Sequence, residues 1–298
     1  MIMKKNILLT LAVALLPVIA SAQTSSALPF VRINRDAKTS AMGGIEAVSG
    51  LYNPAAVPFT GSDITASYQM WAPGGAKSSN INLLGGIKIG KRMGLTILGA
   101  YQVGQEYTTY NETGKAGGTF VPSDLLAGIG FGFAITDFMS VGVNAKFASS
   151  TLATDAKYSA FVGDAFVMFA KGGLKATAGV ASLGTPVKSG ESAFKLPTSA
   201  KVGVAYDLGF GKSGLQLAAD GDVFFTGGMG LGLGLQYDWN KMVFVRGGFH
   251  LGTGNAPLPT YASLGLGFKF AGFHIDASWL TANQVLGNTI CIGLGYAF

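Results

Sequence analysis

The chain has 298 residues, of which 49% are hydrophobic and only 12% charged, with 45 glycines and a formal net charge of +6. A soluble domain of this length carries roughly twice that charged fraction, and the mild positive excess contains no run of like charges, which excludes nucleic-acid binding. A single cysteine, Cys291, excludes an internal disulfide and a thiolate zinc site.

The chain opens as a secretory signal peptide over residues 1–22. Lys4 and Lys5 precede an apolar run from Ile7 to Ala20, and Ala20-Ser21-Ala22 offers small residues for cleavage before Gln23. With no cysteine near the cut, a lipid anchor is not expected. Nowhere else do about 18 consecutive apolar residues occur, so no transmembrane helix is predicted.

Residues 23–60 do not alternate regularly. They combine the charges of Arg32, Arg35, Asp36 and Lys38 with the Gly43-Gly44 pair and the turn-forming Asn53-Pro54. This segment is expected to be a plug or cap in the periplasmic half of a barrel lumen.

From there on, alternation is the rule. Strands are predicted over 62–72, 79–90, 92–104, 124–135, 138–149, 157–170, 173–183, 198–208, 213–225, 228–239, 241–251, 260–271, 272–281 and 287–298. In the segment from Gly228 to Trp239, Met229, Leu231, Leu233, Leu235, Tyr237 and Trp239 share one face, and Gly230, Gly232, Gly234, Gln236 and Asp238 the other. About ten alternating residues with aromatic ends suit a transmembrane β-strand. The expected fold is therefore all-β: a fourteen-stranded antiparallel transmembrane β-barrel over 61–298. If the first strand rises from the periplasm, the long connections 105–123, 184–197 and 252–259 all fall on the outer side. The shortest ones fall on the periplasmic side, as in outer-membrane barrels.

The faces then sort themselves. Ile129, Phe131, Phe133 and Ile135 point to lipid, opposite Gly128, Gly130 and Gly132. Asn144, Lys146, Arg246, His250, Lys269, His274 and Asp276 point into the lumen, because an ion on the lipid side costs about 2–4 kcal/mol near the midplane. Inward glycines leave room for a segment of backbone to enter. Cys291 reads as a small packed inward residue. The outward aromatics Tyr296 and Phe298 resemble the terminal signal read by the barrel-assembly machinery, and also serve as interfacial anchors.

Enzyme chemistry finds little support. His274 and Asp276, two apart on one face, could form a base and its orienting carboxylate, but an inward His beside Asp is more often a lumen hydrogen-bond pair. No GxSxG, HExxH or paired-carboxylate motif is present, and the period-two glycines of 228–234 belong to a strand rather than a phosphate loop. No cofactor or metal is expected.

Three blocks carry a family resemblance: Phe30 to Ala37 (FVRINRDA), Ser40 to Gly44 (SAMGG), and Asn53-Pro54-Ala55-Ala56. They resemble the N-terminal signature of the PorV/PorQ proteins, outer-membrane barrels related to the FadL long-chain fatty acid transporters. Leu196-Pro197-Thr198 and Leu258-Pro259-Thr260 are weaker matches. The resemblance implies a plugged fourteen-stranded barrel and marks Arg32, Asn34, Asp36, Met42, Gly43, Gly44, Asn53 and Pro54 as the plug motif. It also implies a non-enzymatic accessory of type IX-like protein export, partnered by a secretion translocon or its cargo. The alternative is a FadL-like channel for small hydrophobic molecules, with Tyr107, Tyr110, Phe120 and Val121 of the long outer loop as candidate pocket residues. Both readings place the chain in a bacterial outer membrane, among its lipids and dependent on the barrel-assembly machinery.

Overall fold

A strand whose side chains alternate between lipid and lumen has only one way to satisfy every backbone group in a bilayer, which is closure into a barrel. The computed structural model, which describes residues 26–71, 77–110, 114–281 and 287–298, shows that closure. The expected signal peptide lies outside the described residues.

Fourteen antiparallel strands follow one another round the wall: β1 (Asp63–Trp71), β2 (Ser78–Ile89), β3 (Met93–Val103), β4 (Ser123–Ala134), β5 (Met139–Ala153), β6 (Ala156–Lys171), β7 (Leu174–Gly184), β8 (Ser199–Phe210), β9 (Ser213–Phe224), β10 (Met229–Trp239), β11 (Val243–Thr253), β12 (Tyr261–Phe270), β13 (Phe273–Thr281) and β14 (Thr289–Ala297). The last pairs with the first from Asp63↔Ala297 to Met70↔Ile290, so no sheet edge remains. Along β10 the leucines Leu231, Leu233 and Leu235 are exposed toward lipid while Gly230, Gly232 and Gln236 are buried. Trp239, Phe270, Phe273 and Phe298 form an exposed aromatic girdle near the short-turn end.

The expected strands differ from the observed ones chiefly at the long-connection end, here the outer end. The stretch 150–156, expected as loop, is the top of a tall hairpin in which β5 and β6 run 15 and 16 residues. Ser150 and Thr151 read as loop because they are polar, yet a strand that rises above the bilayer meets water or a cavity on both faces. Two expected loops also contain small hairpins, Tyr107–Tyr110 with Ala116–Phe120 and Val187–Ser189 with Ser192–Phe194.

The N-terminal segment runs inside the barrel. It begins as a 3-10 turn, Pro29–Arg32, followed by the short helix α1 (Ala37–Ala41), and a second 3-10 turn, Val57–Phe59, delivers it to β1. The segment is longer in reach than a periplasmic cap. Ala27 already bonds to Lys195 O at the outer end, and Leu28, Phe30, Val31 and Ile33 pack with inward Leu126, Ala148 and Val162. The upper lumen is thus apolar, and the greasy start of the segment is drawn into it rather than left below.

Candidate functional site

Backbone threaded through a barrel must find partners for its own polar groups, and the inward side chains of the wall supply them. Asp36 caps α1 by accepting from Thr39 N at 3.0 Å, and the Tyr52 hydroxyl donates to the same carboxylate at 2.7 Å. Arg35 donates to Phe30 O at 2.6 Å, which folds the segment back on itself. Asn53 bonds its own chain at Ala47 O, reaches Thr177 on β7, and accepts from Ala55 N at 2.9 Å. From the wall, Asn144 donates to Tyr52 O at 3.0 Å, Ser140 to Ala55 O, and Ser263 to Ala41 O at 2.9 Å.

The inward glycines stand where this backbone passes closest. A side chain at Gly132 or Gly142 would strike Pro54 and Ala55, and one at Gly248 would strike Met42 and Gly43. Gly43 and Gly44 take φ of 71° and 85°, left-handed values that suit glycine and let the chain turn against β10 and β11.

Charge fastens the segment to one side of the wall. Arg32 pairs with Asp222 at 2.8 Å, and Lys201 reaches Asp222 at 2.9 Å and both Asp220 and Glu46 at 3.7 Å. Asp220 also accepts from the Glu46 and Ala47 amides at 2.7 and 2.8 Å. Burial pushes the Glu46 carboxyl above its ordinary range, against the opposing pull of Lys201 and Arg32.

Above this floor, at the outer end, lies a cavity of about 570 Å³. Its base is Leu28, Phe30 and Ile33 from the segment, and its sides include Trp71, Leu152, Tyr158, Val187 and Phe194. The barrel strands contribute Gln102, Asp124 and Ser150 from the adjacent β3, β4 and β5, and Ser26 and Ser189 add hydroxyls from the segment and an outer hairpin. Ile33 also borders a second lumen cavity of about 50 Å³ walled by Arg35, Glu46, Lys146 and Asp164, so the way down narrows and becomes charged.

The lumen residues singled out from sequence fall into separate groups. Arg246, His274 and Asp276 come together: Arg246 meets Asp276 at 2.5 Å, and His274 lies 2.7 Å from Asp276 and 2.9 Å from Asp63. Both ring nitrogens of His274 are therefore occupied by carboxylates. His250 stands apart, stacked on Tyr261 with centroids 5.1 Å apart. Asn144 and Lys146 meet instead at Asp164, at 2.9 and 2.7 Å, and Lys269 lines an opening at the periplasmic end. Among the described residues no cluster of three or more His, Cys, Asp or Glu could hold a metal ion.

Of the plug-motif residues, Arg32, Asn34, Asp36, Met42, Asn53 and the glycine pair bond to or lie against the wall or the segment itself, and Pro54 abuts the β4 glycines. The pocket expected from the long loop is placed differently. Tyr107 packs on Phe120 and donates to Leu152 O at 2.5 Å, Tyr110 and Val121 are exposed, and none of the four lines the 570 Å³ cavity. Tyr296 and Phe298 stack outward at 5.8 Å, with Phe298 N donating to Ser62 O.

Sequence reading passed over Lys201, Asp220, Asp222 and Asp164. The signal was present, since a charge at an inward register position of a lipid-facing strand must find a partner. Lys201 meets Asp222 and Lys146 meets Asp164 across single hairpins, whereas the partners from the inner segment are distant in sequence and follow from its path through the lumen.

No family model and no curated protein matches this sequence. Solved structures do match. The CymD monoaromatic hydrocarbon channel aligns at a TM-score of 0.63 with 14% identity, over 89% of this chain and 97% of that one. The Ralstonia pickettii toluene transporter TbuX aligns at 0.60 with 12% identity, over 90% and 99%. A Pseudomonas aeruginosa FadL homologue aligns at 0.52 with 10% identity, over 92% and 97%. The fold is the barrel that these solved structures share. At these identities the likeness is one of architecture, and the resemblance to PorV and PorQ stands on the N-terminal blocks and the two weaker Leu-Pro-Thr turns.

Proposed function

We propose that this chain is an outer-membrane channel for the uptake of small hydrophobic molecules. The observation that carries the reading is the outer cavity, because an apolar chamber of about 570 Å³ open at the outer end and floored by a separately folded segment is a place to receive such a molecule. The architecture shared with hydrocarbon channels points the same way. Entry leads to Leu28, Phe30 and Ile33, and passage requires these residues to shift, since the space below is small and charged.

The wall offers a side exit at the same level. A bulge between β6 and β7 sets Val180 opposite Ala165 but Leu183 opposite Gly163, with Ser182 at φ 57° and its amide held by Asp164 at 2.8 Å. Asp164 and Ala181 both border the small lumen cavity, so the bulge lies directly beside the path.

The test is uptake of a radiolabelled hydrocarbon by cells with and without the intact chain. Uptake lost on deletion and restored by the full sequence supports the channel. Unchanged uptake, together with co-purification of a secretion translocon from native outer membranes, replaces it by the export accessory that the N-terminal blocks resemble.

A further inference from the structure

The outer cavity is not uniformly greasy, and its polar arc has a sign. Gln69, Asn80, Gln102, Asp124 and Ser150 are direct register neighbours on β1 to β5, so their inward side chains form one continuous row. Within it Asn80 donates to Gln69 at 3.0 Å, which leaves Asn80 Oδ1 buried without a partner. Next to it, Gln102 Oε1 is likewise buried and unpartnered, and beyond that stands the Asp124 carboxylate, bonded to Ser150. Two unpartnered acceptors and a carboxylate thus stand side by side on β2, β3 and β4, with the unpartnered donor Gln69 Nε2 at the far end of the row on β1; of these groups Gln102 and Asp124 line the cavity.

A buried acceptor without a donor is costly, and Gln102 Oε1, which borders the chamber, is open to a donor that enters it. The cavity lining holds one charged side chain, Asp124, and among its described residues no lysine, arginine or histidine. Lys77 and Glu106 border an adjoining cavity of about 440 Å³ that shares Gln102 and Asp124, rather than this one. A carboxylate ligand would therefore meet acceptors and a like charge, while a hydroxyl would meet a vacant acceptor.

Resting on the channel reading, we infer that the cavity selects neutral molecules with an apolar body and a hydroxyl head, of the phenol or alcohol class, over both bare hydrocarbons and carboxylates. The hydroxyl donates to Gln102, and the apolar body lies on Leu28, Phe30 and Ile33.

The test uses the full chain in detergent and three probes with one ring system: 2-naphthol, naphthalene and 2-naphthoate, each titrated calorimetrically. Naphthol is expected to bind about tenfold more tightly than naphthalene, the worth of one well-placed hydrogen bond, with naphthoate weakest. Gln102→Leu should erase the lead of naphthol over naphthalene. Asp124→Asn, which keeps the shape of the site, should raise naphthoate affinity. Naphthoate binding as tightly as naphthol, or a lead that survives Gln102→Leu, overturns the hydroxyl preference and leaves the channel standing. Failure of all three probes to bind overturns both.

Discussion

Asp222 is the residue on which the seating of the inner segment turns. It accepts from Arg32, Lys201 and Ser199, all buried, at 2.8, 2.9 and 2.7 Å. Asp222→Asn leaves two buried cations short of a counter-charge, and removing one partner of a buried pair costs about 3–5 kcal/mol. Heat-modifiable gel mobility across a temperature series should show the variant unfolding well below the parent. Glu46 differs, since it stands 3.7 Å from Lys201 and burial already holds its carboxyl up. A pKa raised above its unfolded value contributes stability that is fully present below the unfolded value and lost as pH rises through the folded one. Glu46→Gln should therefore flatten the fall in melting temperature from acid to neutral pH and leave the neutral-pH melting point unchanged or higher. A steeper fall in the variant would refute this assignment.

At the scale of elements, each strand is shaped by what passes on its inner side. Gly132 on β4 and Gly142 on β5 face Pro54 and Ala55, and Gly248 on β11 faces the Met42-Gly43 turn. Gly248→Val should push that turn off the wall, and overpacking of this kind costs about 1–3 kcal/mol. The expected result is a folded barrel with raised ion conductance in planar bilayers, while conductance equal to the parent would mean the turn has room to move.

The same elements show what the sequence could tell. Strand positions were legible because lipid and lumen impose strict alternation, which is why β10 and β14 can be read from their letters. The inner segment could be suspected from the glycines, since stripes of missing side chains need something to fill them. Lys201 stands opposite Asp222 across the tight β8–β9 hairpin, but the contacts of Asp220 and Asp222 with Arg32, Glu46 and Ala47 were not legible, because no local pattern sets where the inner segment meets the wall. Nor was the apolar upper lumen: Leu126, Ala148 and Val162 each follow an outward hydrophobic, Leu125, Phe147 and Phe161, so the inward face does not stand out as apolar in its own right.

For the molecule as a whole, the barrel and the segment inside it are held by different forces. Ladders of backbone hydrogen bonds close the wall from β1 round to β14, and none of those pairings includes a residue before Asp63. The segment adds apolar contacts above, glycine-cradled backbone in the middle, an ion pair at Asp222 and amide hydrogen bonds to Asp220. Deleting residues 26–60 behind an intact export signal should therefore leave a membrane-inserted, heat-modifiable barrel, because the stranded lumen charges would gain water as the segment is removed. Its single-channel conductance should rise far above that of the parent, and its preference among hydrophobic solutes should disappear with the floor of the cavity. If the shortened chain instead fails to insert, the segment belongs to the folding nucleus of the wall, and the separation of barrel from gate that the channel reading requires is lost.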